Sequence, residues 1–136
     1  MSSFNDQTMA EFRANAGVVG GHFEGKHLLL LHTIGRRTGQ ERVTPLVYTT
    51  VNGSYVVAGS NGGAEKEPLW VANVEVMPEV TIEVGEVTMT AKPSVLRGGA
   101  ERERLYAALV TYWPDFVSYE ASTSRHFPVI RLDPTE

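Results

Sequence analysis

The chain has 136 residues, 42% hydrophobic and 21% charged, a balance that suits one soluble globular core. Its formal charge of -4 argues against a basic nucleic-acid footprint, so any anion site must be local. With no cysteine, disulfides, thiolate metal sites, iron–sulfur clusters and thiol nucleophiles are excluded. The apolar run Leu28 to Leu31 is far too short to span a bilayer, and the N-terminus lacks the basic start and apolar stretch of a signal peptide. A cytoplasmic protein of one domain, residues 1–136, is expected, a monomer or homodimer with at most peripheral membrane contact.

Residues Phe4 to Ala16 space Phe4, Met9, Phe12 and Ala16 for a short amphipathic helix within residues 1–19. Its polar face is poor in lysine, so it suits a barrel cap or cofactor cover better than a membrane surface. After Gly20-Gly21, Lys26 to Thr33 is β-like, Gly35 to Gly39 reads as a tight turn, and Arg42 to Val51 is extended again. Asn52-Gly53 is a type I′ hairpin signal, with Ser54 to Ala58 as the returning strand. The stretch Gly59 to Ala64 is too glycine-rich for a sheet, and Pro68 suits the start of a helix over Leu69 to Val76. Glu79 to Val84 and Val87 to Leu96 form a third hairpin around Gly85-Glu86. Glu101 to Val110 reads as a helix with Leu105, Ala108 and Leu109 on one face, and Phe127 to Leu132 as a last strand. The order predicts a mainly β domain with peripheral helices, a small barrel.

Arg36, Arg37, Thr38 and Arg42 place three guanidinium groups, a hydroxyl and turn amides at one hairpin tip, which is either a local anion trap or a solvated turn. Ser60-Asn61-Gly62-Gly63 lets backbone approach a flat or charged ligand just before a helix, without the spacing of a dinucleotide fingerprint or Walker loop. Tyr112, Phe116 and Tyr119 are spaced for one helical face, with Trp113 beside them and Pro114 interrupting; core packing and a pocket wall for a planar substrate both suit this pattern. His22, His27, His32 and His126 lack common metal-ligand spacing, and parity puts His27 and His32 on opposite strand faces. No serine nucleophile elbow is present.

The run Leu28-Leu29-Leu30-Leu31-His32-Thr33-Ile34-Gly35-Arg36-Arg37-Thr38-Gly39-Gln40-Glu41-Arg42-Val43-Thr44-Pro45-Leu46 resembles the opening motif of the deazaflavin-dependent nitroreductase and quinone reductase family. The blocks Ala58 to Ala64, Pro68 to Asn73, Met77 to Val80 and Tyr112 to Tyr119 are similar to its later landmarks, in order. The resemblance implies a split β-barrel of the FMN-binding type that binds coenzyme F420, a deazaflavin carrying a phosphate and an oligoglutamate tail. It implies hydride transfer from the reduced cofactor to an electron-poor acceptor: a quinone, an α,β-unsaturated carbonyl or lactone, or a nitroaromatic.

By the same resemblance Arg37 and Arg42 hold the phosphate, with Arg36 and Thr38 near it and Lys26 toward the tail. Pro45, Leu46 and Val47 line the deazaflavin, and Ser60, Asn61, Gly62 and Gly63 form its amide-rich cradle. Trp70 and Asn73 lie on the ring and substrate side. Trp70, Tyr112, Trp113, Phe116 and Tyr119 outline the acceptor pocket, with Tyr119 and Ser60 as the groups nearest the chemistry. Phe116 stands where nitro-reducing members tend to carry a tyrosine. The alternatives are an FMN-dependent oxidoreductase and a non-catalytic carrier of F420 or a lipophile.

Overall fold

The computed structural model describes residues 3–15, 28–35, 38–59, 68–121 and 127–135. In chain order the elements are α1 (Ser3–Ala14), β1 (Leu28–Ile34), β2 (Glu41–Val47), β3 (Thr49–Val51), β4 (Ser54–Ala58), α2 (Leu69–Glu75), β5 (Val80–Val84), β6 (Val87–Leu96), α3 (Ala100–Tyr112), α4 (Asp115–Ala121) and β7 (Val129–Pro134). Among these, no helix is long and apolar enough to cross a membrane.

The hairpins form where turn chemistry places them. Asn52 and Gly53 both adopt positive φ, 52° and 85°, the conformation a two-residue type I′ turn requires, and they join β3 to β4. Gly85, at φ 60°, starts the turn between β5 and β6.

All seven strands lie in one antiparallel sheet in the order β2-β1-β5-β6-β7-β4-β3. Its two edge strands are consecutive in the chain, with only Tyr48 between Val47 and Thr49. In a flat sheet of this width the edges would stand about 29 Å apart, six spacings of roughly 4.8 Å. One residue cannot bridge that gap, so the sheet curls until its edges meet at Tyr48. This is why the extended stretch expected from Arg42 to Val51 breaks in two: the chain leaves one edge and joins the other.

Both faces of the curled sheet are apolar, which explains the unbroken leucine run of β1: Leu28 to Leu31 are all buried. Leu29 and Leu31 face α2, packing with Trp70, Val71 and Val74. Leu28 and Leu30 face the opposite layer, where Phe12 of α1 and Leu105 and Leu109 of α3 meet Val47, Val56 and Val129. Each such leucine contributes about 1.5–3 kcal/mol relative to exposure.

Several element boundaries shift by one or two residues from the sequence expectation. The last strand is Val129–Pro134 rather than Phe127 to Leu132, because Phe127 and Pro128 serve as contacts for Arg102 and Gly59 before pairing with β4 and β6 begins. Pro68 is the N-cap of α2, with φ -64° and ψ 143°, and the helical turns start after it.

Candidate active site

The β1–β2 hairpin closes through a turn in which Gly35 N–H donates to Gln40 O (2.8 Å) and Gly39 N–H to Gly35 O (2.7 Å). Thr38 Oγ1 accepts from Gln40 N–H at 3.3 Å, so this hydroxyl shapes the turn from an exposed position. Arg36 and Arg37 lie outside the described residues, as do Lys26, His22, His27 and His126, and the loop Ser60, Asn61, Gly62 and Gly63.

Arg42 stands directly opposite Thr33, so their side chains share the sheet face that carries α2. Among the described residues Arg42 meets no carboxylate, whereas Arg13, Arg97, Arg102, Arg104 and Arg131 each do. Thr33 is only 1% exposed, and its Oγ1 has no hydrogen-bond partner among the described residues. An unpartnered buried hydroxyl is costly, so Thr33 stands out on the face that carries Arg42. Trp70 and Asn73, both buried on α2, cover the same face of the sheet.

The entry to the glycine-rich loop is sterically fixed. A Cβ on Gly59 would lie 2.8 Å from Val71 Cγ2 and 3.0 Å from Pro128 Cγ, and Gly59 N–H donates to Pro128 O at 2.9 Å. Only glycine lets the chain leave β4 this close to α2. Gly59→Ala should lower stability by about 1–3 kcal/mol in thermal melts. An unchanged melting temperature would show that α2 is not held at this contact.

Strand alternation divides the three expected ring-lining positions. Leu46 faces α2 with Arg42, while Pro45 and Val47 face the other layer. Since β2 is an edge strand, a planar group lying along it meets the backbone of all three but the side chains of one parity only.

The late aromatic block is two helices and not a loop. Pro114 separates α3, which ends at Tyr112, from α4, which carries Phe116 and Tyr119. Trp113 and Phe116, 6% and 4% exposed, belong to the core with Tyr106 and Phe127, and their rings meet edge to face at 5.9 Å. A hydroxyl in place of the Phe116 ring edge would enter packed apolar surroundings. Tyr119, half-buried, stacks edge-on against Trp113 (6.1 Å) and Phe116 (5.9 Å), and Tyr112 is half-buried too.

Sequence reasoning missed Tyr48, at the seam of the barrel. Its ring meets Tyr55 edge to face at 5.3 Å. Burial, with smaller contributions from Tyr55 and Tyr112, pushes its hydroxyl above the ordinary tyrosine value. The sequence signal is a lone aromatic between two short β runs, meaningful only once the sheet edges are known.

On the α1 face, His32 lies between two carboxylates, with Nδ1 2.9 Å from Glu41 Oε2 and Nε2 2.6 Å from Glu83 Oε2. Arg13 of α1 grips Glu83 through Nε (3.2 Å) and Nη2 (2.7 Å). The Arg13 bond, aided by His32 and opposed by burial, holds the Glu83 carboxyl below its ordinary value. That contribution is complete above the carboxylate range and is lost as pH falls through it. A separate polar cleft of about 220 Å³ lies between the β3–β4 turn, α3 and β7. Its charges satisfy one another: Arg131 pairs with Glu101 and Asp133, and Asp133 accepts from Ser54.

A curled antiparallel barrel split at one seam, with a guanidinium on one face that meets no carboxylate among the described residues, defines a split-barrel protein. An F420-H2-dependent reductase of solved structure is 30% identical, with a TM-score of 0.71 over 84% of this chain and 100% of its own. An F420H(2)-dependent quinone reductase of Mycobacterium tuberculosis is 34% identical over 127 residues, 90% of this chain and 85% of that protein. A third relative, solved as a domain-swapped dimer, is 27% identical, with a TM-score of 0.72 over 94% of this chain and 95% of its own. The chain belongs to the F420H(2)-dependent quinone reductase family, whose model matches residues 5–134. It is an oxidoreductase, and reduced F420 is its hydride donor; FMN use and a carrier role are not favoured. The residues fit that cofactor: the exposed Arg42 guanidinium, which meets no carboxylate among the described residues, is a donor to an anion, and F420 carries a phosphate and carboxylates.

Proposed function

We propose that this enzyme reduces quinones and related electron-poor acceptors, α,β-unsaturated carbonyls and lactones among them, with Arg42 anchoring the cofactor's anionic end. The observation that carries this reading is that Arg42 lacks a carboxylate partner among the described residues and shares its face with the buried, unpartnered Thr33 Oγ1. Arg37 joins Arg42 in holding the phosphate, with Arg36 and Thr38 as further contacts and Lys26 as a contact for the tail. Pro45, Leu46 and Val47 support the ring along the β2 edge, and Trp70 and Asn73 bound it from α2. The amides of Ser60 to Gly63 and the Ser60 hydroxyl supply donors to the ring system.

When bound, F420 supplies the hydride; the protein supplies position, dryness and a proton. Tyr119 delivers the proton to the reduced acceptor, its ring held by Trp113 and Phe116, with Tyr112 beside it on the acceptor side. Trp113 and Phe116 act by fixing Tyr119, since both are buried in the core. The whole chain, residues 1–136, works as one cytoplasmic domain, in keeping with a family match that runs through it unbroken. A homodimer is the assembly that the domain-swapped relative supports.

The test is a side-by-side titration with F420 and FMN, followed by steady-state kinetics with a quinone, an enone and a nitroaromatic. F420 should bind far more tightly than FMN, and the quinone should turn over fastest. Tyr119→Phe should lower kcat by about 10²-fold while F420 affinity stays near the parent's. Tight FMN binding without a response to F420 would refute the cofactor assignment, and full turnover in Tyr119→Phe would reduce that residue to packing.

A further inference from the structure

The hairpin that presents Arg42 also carries a carboxylate that ought to quench it. Glu41 is its immediate neighbour, with Cα atoms about 3.8 Å apart. The pleat turns the two side chains to opposite faces, Glu41 across from Ile34 and Arg42 across from Thr33. Orientation alone does not remove the Glu41 charge. Its Oε2 is taken up by His32 Nδ1 at 2.9 Å, while His32 Nε2 meets Glu83 at 2.6 Å.

Both ring nitrogens lie within hydrogen-bond distance of carboxylate oxygens, and a ring that donates to both is an imidazolium. The groups facing it are then Glu41 from β2, Glu83 from β5 and, through Glu83, Arg13 from α1. Two cations and two anions balance. Without the imidazolium the cluster carries one net negative charge beside Arg42.

We propose that His32 is a positioning residue for the cofactor site: it holds Glu41 on the α1 face and offsets its charge, so that Arg42 stays available to a phosphate-bearing polyanion. The inference rests on the reading that the cofactor's anionic end meets Arg42. It also gives α1 a role, since Arg13 completes the cluster from the N-terminal helix.

F420 affinity should be measured by fluorescence titration at low and high ionic strength for the parent, His32→Gln, Glu41→Gln, the double variant and Arg42→Ala, with melting temperatures recorded alongside. Removing one compensating charge near a polyanion site should weaken His32→Gln binding about three- to tenfold at low salt, with little difference at high salt. Glu41→Gln alone, which leaves His32 untouched, should bind at least as tightly as the parent. The double variant should recover Glu41→Gln affinity, a rescue that a merely structural histidine would not give. Parent-like affinity in a folded His32→Gln protein, or a double variant as weak as the single, overturns the inference. Parent-like affinity in Arg42→Ala overturns the placement of the anion, and the role of His32 with it.

Discussion

Arg102→Ala should destabilise the protein by about 3–5 kcal/mol, the largest stability loss expected of any single substitution here. The side chain is 1% exposed on α3, yet its donors are met: Nε and Nη2 both donate to Phe127 O, at 3.1 and 2.5 Å, and Nη1 to the Glu103 carboxylate, at 3.1 and 3.2 Å. Its guanidinium carbon lies 4.5 Å from the centre of the Tyr106 ring. Truncation therefore opens a cavity, removes a cation–π contact and takes two hydrogen bonds from the Phe127 carbonyl just before the chain enters β7. Arg102→Met, which keeps most of the volume but loses the guanidinium's hydrogen bonds and its contact with the Tyr106 ring, should cost less, about 1–3 kcal/mol. For a domain of this size the alanine variant should melt about 10–15 °C lower. Chemical denaturation of the parent and both variants checks the order. A loss below about 1 kcal/mol for alanine would mean that water replaces the guanidinium at Phe127.

Arg102 also shows where sequence reading stops. Positions 102, 105 and 109 lie on one helical stripe, so spacing alone places Arg102 beside the buried Leu105 and Leu109. Its charge argued for solvent, and its partner, the Phe127 carbonyl, is a backbone atom 25 residues away that no residue pattern advertises. The hairpin at Asn52-Gly53 was legible because two adjacent residues carry all of its conformational demand. The seam at Tyr48 was not, since it follows from the order of seven strands rather than from the residues around it.

The candidate site divides the same way. Arginine clustering at the β1–β2 turn was plain in the sequence, but the strand register that turns Glu41 away from Arg42, and the His32 contact that joins Glu41 to Glu83, a residue 51 positions from His32, were not. The aromatic spacing of the late block was visible as well. Its division into buried Trp113 and Phe116 and half-buried Tyr119 depends on the angle at which α4 restarts after Pro114, and tertiary contacts set that angle.

Arg42→Ala should raise the F420 dissociation constant by about 10- to 150-fold, the equivalent of losing a charge-assisted contact of roughly 1.5–3 kcal/mol. The magnitude rests on the guanidinium being exposed and without a carboxylate partner among the described residues, so that no internal ion pair is lost in the free protein to mask the effect. For the same reason the variant should keep its stability within about 0.5 kcal/mol of the parent, which separates a binding defect from a folding one. Arg42→Lys keeps the charge but not the two-pronged donor geometry, and should fall between alanine and arginine. Raising the salt concentration should weaken the parent more than the alanine variant, narrowing the gap, because the contact lies in a groove that ions reach. Isothermal titration with F420 at three ionic strengths, repeated with FMN as a single-phosphate comparison, reads all of these at once. Should Arg42→Ala bind F420 as the parent does at every salt concentration, the arginine only solvates the hairpin, and the cofactor's anionic end must be held by another part of the barrel.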